Sequence, residues 1–131
     1  MTYVRMAAIT AAAGFAGIVL FQLALAAGAP WGRAAWGGAY PGQLPTGLRV
    51  ASGVAALLWT FAALVVLSRG GAPVVALHAG LTRWVVWTVV ALLAVGVLMN
   101  AVSASGWERF WWAPYSLLLG LACLVVAIGP A

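Results

Sequence analysis

Four stretches without a charged residue, 6–27, 50–68, 84–102 and 110–128, make up most of this chain, and an arginine heads each one: Arg5, Arg49, Arg83 and Arg109. The hydrocarbon layer of a bilayer is about 30 Å deep, and a helix needs about 20 apolar residues to cross it. Inside lipid no water satisfies a peptide group, so a spanning segment must close its hydrogen bonds within itself, as a helix does. The expected fold is therefore an all-α integral membrane protein of four transmembrane helices, arranged as two hairpins. Only short connections remain outside the spans, so residues 1–131 read as a single domain. With 66% hydrophobic and 5% charged residues, no soluble module is left to house separate chemistry.

The first stretch could instead be a secretory signal, with "MTYVR" as its basic start. Its apolar run exceeds the roughly 7–15 residues of a signal's hydrophobic region, so a span is expected there. The chain carries six arginines, no lysine and one acidic residue, Glu108. In a soluble protein a charge of +5 would point to nucleic acid. Here arginines at span ends anchor helices at the headgroups, and no nucleic-acid partner is expected.

The chain aligns with itself. Arg5, Thr10 and Gln22 fall on Arg83, Thr88 and Asn100 at one constant offset; at a second, shorter offset Arg49 falls on Arg109 and "AALVV" (62–66) on "ACLVV" (122–126). The offsets differ because the first connection is the longer one. This is the pattern of a parallel internal repeat, two hairpins related by an axis along the membrane normal. Matches in an Ala-, Val- and Leu-rich chain also arise by coincidence, and the Thr and amide pairs carry most of the weight. Arg5, Arg69 and Arg83 fall on one side, and Arg33, Arg49 and Arg109 on the other. The count is balanced, which permits dual topology; the amino terminus and Glu108 favour both termini in the cytoplasm of a bacterial plasma membrane.

Small residues let helices approach closely where lipid supplies no hydrophobic drive. Ala7, Thr10, Gly14 and Gly17 share a face of the first span, as do Ser52, Ala56 and Thr60 in the second. Gly96 and Asn100 in the third span and Ser116 and Gly120 in the fourth extend the set. Gln22 and Asn100 stand apart, because each unmet bond of an amide in hydrocarbon costs about 1–2 kcal/mol. They face protein, water, a ligand or each other.

The first connection, 28–49, holds Gly28, Gly32, Gly37, Gly38, Gly42 and Gly47 with Pro30, Pro41 and Pro45, a composition of tight turns. Trp31, Trp36 and Tyr40 suit the headgroup zone, so an interfacial lid over the bundle mouth is expected rather than a disordered linker. The third connection lies on the same side. Ser105 and Glu108 have capping-box spacing, and Glu108 has a second candidate role, pairing with Arg33 or Arg49 to fasten the lid. Trp107, Trp111 and Trp112 form an aromatic belt, and Pro114 either opens the fourth helix or kinks it.

Catalysis has minimum parts that this chain lacks. One His (His78), one Cys (Cys123) and one Glu form no carboxylate pair, no nucleophile triad and no zinc set, so no catalytic residue, metal or cofactor is expected. A proton-coupled exchanger of the small multidrug kind carries a carboxylate inside its first span, and this one has none. Two functions remain. In the first, the lidded end binds a lipid-like or anionic amphiphile, with Arg33, Arg49 and Arg109 on the head, Gln22 and Asn100 orienting it, and Trp31, Trp36, Tyr40 and Trp111 along the tail, while Glu108 holds the lid. Such a module works alone with membrane lipids, as a homo-oligomer or as an accessory subunit of a membrane complex. In the second, a small channel or carrier runs along an axis lined by Thr10, Thr88, Gln22 and Asn100.

Overall fold

The computed structural model describes residues 2–130, and among them it contains helices and turns and no strand. Four helices are long and apolar enough to cross a membrane. Helix α1 is Tyr3–Ala27, α2 is Thr46–Arg69 and α3 is Ala79–Ala101; α4 is Ala113–Ile128, continuous with a π-helical turn at Glu108–Trp112. Each helix begins two or more residues before its uncharged stretch, so the heading arginines sit inside first turns rather than ahead of them. Hydropathy locates the part of a helix that lies in lipid, whereas hydrogen bonding continues into the interface until a capping group stops it. Thr2 caps α1 by accepting from the Arg5 N–H at 3.1 Å, and His78 caps α3 by accepting from the Gly80 N–H at 3.1 Å.

The bundle is a square in which α1 and α3 occupy one diagonal. Helix α1 packs on α2 and α4, and α3 packs on α4 and α2. The first and third connections meet at one end, which we call the loop end; at the other, the Arg69 guanidinium donates to the Gly129 carbonyl at 3.0 Å. Two hairpins therefore stand side by side in the same orientation, the arrangement a parallel repeat requires.

The bundle core gathers toward the end that carries the termini. Val65, Val66, Val86, Cys123 and Val126 are fully buried there, and Phe15 is fully buried at mid-span. Phe15 stacks on Trp59 with centroids 5.7 Å apart. Small residues bring the helices together as expected at Ser52, Ala56 and Gly17, and a Cβ at Gly17 would overlap the Tyr115 hydroxyl. That hydroxyl instead donates to the Gly14 carbonyl at 2.6 Å, joining α4 to α1.

The expected threonine contacts are not formed. Thr10 and Thr88 are exposed on the outside of the bundle, and their hydroxyls donate to Met6 and Trp84 carbonyls of their own helices at 2.9 and 2.8 Å. Thr60 likewise bonds Ala56 one turn back. A hydroxyl that can reach the preceding turn needs no neighbouring helix, so it is satisfied facing lipid.

Candidate functional site

The first connection folds back over the bundle. Helix α1 ends at Gly28 in the left-handed conformation (φ 106°), and the chain then makes two 3₁₀ turns, Gly32–Ala34 and Trp36–Gly38. Leu44 and Ala35 bury themselves against Leu25 of α1, giving the connection a small core of its own. Arg49 is partly buried, and its Nε–H donates to the Ala26 carbonyl at 3.1 Å, while Gln43 donates to the Gly28 carbonyl at 3.1 Å. These side chains occupy the carbonyls that a helix end leaves open.

The connection is also fastened to the start of the fourth helix. The Gly37 N–H donates to Glu108 Oε1 at 3.0 Å, the Ser105 hydroxyl donates to the Arg33 carbonyl at 2.5 Å, and the Trp36 indole N–H donates to Ser52 Oγ at 3.1 Å. Glu108 therefore holds the lid, but through a backbone amide rather than through Arg33 or Arg49. Half of the capping box is present: Ser105 Oγ accepts from the Glu108 N–H at 3.3 Å, whereas the Glu108 carboxylate takes the Ser103 hydroxyl instead of returning to Ser105. Trp36 has φ 50°, a conformation that a bulky residue holds only when its surroundings impose it. Its indole bond and the neighbouring Gly37–Glu108 bond are what impose it.

Pro114 explains the turn that places Glu108. Proline has no N–H for the Phe110 carbonyl and its ring crowds that carbonyl, so an α-helix cannot run through unaltered. The chain widens by one residue, and the Ala113 N–H bonds Glu108 O across the π turn. Pro114 thus stands in the first turn of α4, as expected, and the π turn before it keeps the helix continuous back to Gly106. Such wide turns recur at functional sites.

Beneath the lid lies a cavity of about 630 Å³ between α1 and α3. Its floor is apolar, with Ile18 and Leu93. Phe21, Trp36, Trp59 and Trp112 supply aromatic walls, and Gln22, Asn100, Ser103 and Glu108 supply polar groups toward the lid. Gly96 stands at the centre of the α3 face that lines it, and a Cβ there would meet no atom within 4 Å. Asn100 turns its Nδ2 to the Gly96 carbonyl at 2.7 Å. Gln22 Oε1 is buried and accepts no hydrogen bond. The two amides thus share one cavity, but their bonds do not form the interhelical pair.

A second cleft, of about 430 Å³, adjoins the first across Phe21 and Trp112, whose rings lie 4.8 Å apart. Trp31, Trp107 and Trp111 line it with Arg33. Of the residues expected at a site, Gln22, Trp36, Asn100 and Glu108 line the main cavity and Trp31, Arg33 and Trp111 the cleft. Tyr40, Arg49 and Arg109 line neither. Arg109 donates to the carbonyls of Ser103 and Ala104 at 2.8 and 3.2 Å and lies 5.4 Å from the Phe110 ring centre. The three arginines of the loop end therefore do not converge on one head, because Arg49 closes the end of α1 and Arg109 bonds the backbone of the third connection.

Sequence reasoning missed Phe21, Trp59 and Ser103 as lining residues. Trp59 carried a signal, since an indole midway along a span lies outside the interfacial belt. The others carried none. Together the fold and the site define a small four-span membrane protein with a lidded, mostly apolar cavity at one end. No protein-family model, curated protein or solved structure matches the chain.

Proposed function

We propose that this chain is a non-catalytic membrane binding module that holds an amphiphile, its tail between α1 and α3 and its head under the first connection. One observation carries the reading: Gln22, whose Oε1 is buried without a partner, lines a cavity whose other walls are largely apolar, so a turn of its side chain brings that acceptor to a ligand. A buried acceptor left unmet costs about 1–3 kcal/mol, and a ligand that donates to it recovers that cost. Exposed Leu92, Met99 and Val102 reach the cavity from the outer surface of α3, which gives a lipid-side way in.

The packing favours binding over conduction. Fully buried apolar side chains fill the termini end, and Thr10 and Thr88 face outward, so no polar path continues from the cavity along the expected axis. The membrane lipids around it are the nearest source of a ligand.

Native mass spectrometry of the purified chain in mild detergent tests this reading. It predicts a retained amphiphile that is lost from Gly96→Phe, whose ring fills the open space, while the melting temperature stays unchanged. A lipid-free wild-type chain, or equal retention by Gly96→Phe, contradicts it.

A further inference from the structure

We infer that the cavity selects amphiphiles with a cationic ammonium head, an inference that rests on the binding reading above and reverses the sign of head that the arginines suggest. The chain has six arginines and one carboxylate, and that carboxylate, Glu108, lines this cavity. No arginine does. Arg33 lies in the adjoining cleft beyond Phe21 and Trp112. Arg109, next to Glu108 in sequence, is exposed and bonded to backbone carbonyls, where water and salt screen its charge.

Three further features fit an ammonium. Glu108 takes the Gly37 N–H and the Ser103 hydroxyl on Oε1, which leaves Oε2 and the net charge for a ligand. Gln22 Oε1 is an acceptor in need of a donor, and an ammonium brings several. Phe21, Trp36, Trp59 and Trp112 present rings to the same space, and a desolvated cation is attracted to aromatic faces. An anionic head would meet the Glu108 carboxylate, which repels it.

The test uses dodecylamine, dodecanol and dodecanoate, which share a tail and differ in head charge, with the full chain in maltoside micelles near neutral pH and binding read by native mass spectrometry. Dodecylamine is expected to bind about tenfold or more tighter than dodecanol, with dodecanoate weakest. Glu108→Gln keeps an oxygen for the Gly37 N–H and should remove the amine's advantage over the alcohol, with circular dichroism and the melting temperature of the same sample reporting an intact fold. Gln22→Leu should weaken both. Butylamine, cationic but without a tail, should not bind; if it binds as well as dodecylamine, the ligand is a soluble amine and the inference fails. An amine that binds no better than dodecanol, a preference that survives Glu108→Gln, or tighter binding of dodecanoate overturns the inference and leaves the binding module standing. If none of the three probes is displaced in Gly96→Phe, the binding module fails as well.

Discussion

The two ends of the bundle are built from the same four helices and nearly the same residue types, yet one is solid and the other hollow. At the termini end, Val65, Val66 and Cys123 are fully buried, and Val4 and Ala8 pack close against Gly129 and Gly70. At the loop end, Gly96 lines the cavity, and a Cβ built there would touch nothing. The difference lies in what bridges the helices. In the loop half, Tyr115 reaches the Gly14 carbonyl and locks α4 to α1 on one side, whereas the residue at the corresponding place of the second helix in the repeat alignment is Ala55, which has no reach across to α3 on the other. A lid then covers the space that packing leaves. Association in a bilayer depends on contact rather than on expulsion of water, so a missing side chain leaves a gap that no hydrophobic collapse closes.

Mutations at the two ends should separate these roles. Phe15→Ala, in the solid core, leaves a hole in close packing and should destabilise the bundle by about 3 kcal/mol or more, read from unfolding in mixed micelles. A loss no larger than that from a comparable truncation beside Gly96 would erase the contrast between the ends. A smaller, local effect is expected at the fastening of the lid. Glu108→Ala removes the charged acceptor of the Gly37 N–H and the Ser103 hydroxyl, bonds of about 1.5–3 kcal/mol. Hydrogen exchange at residues 32–38 should accelerate tenfold or more while amides around Val65 and Val126 keep their protection. Faster exchange at both ends alike would mean that lid and core are one cooperative unit.

Much of this was readable in the sequence. Uncharged stretches of spanning length located all four helices, and the alternation of sides put the first and third connections together. The lid followed from its glycines, prolines and tryptophans. Glu108 was identified as a fastener, but its partner was not, because a backbone N–H leaves no mark in the side-chain pattern. Arg49 and Arg109 looked like ligands for an anion for a similar reason: the backbone carbonyls that hold them are present at every residue and single out none. Thr10 and Thr88 matched in the alignment, yet each is satisfied by its own preceding turn, so their agreement marks equivalent positions and not a shared path. Gly96 read as a packing residue. A cavity is an absence of volume, and no single residue encodes it.

The central claim is that the first connection closes over the loop end and rests on the start of the fourth helix. A Cβ built at Gly38 lies 3.1 Å from the Ser105 Cβ, so a shift of a few tenths of an ångström brings the pair to the roughly 3.5–4.5 Å of disulfide-linked residues. In a Cys123→Ala background, Gly38→Cys with Ser105→Cys should therefore form an intramolecular disulfide in native membranes under mild oxidation. If both thiols instead stay free to react with a maleimide and no cross-link forms, the connection does not sit where this account places it.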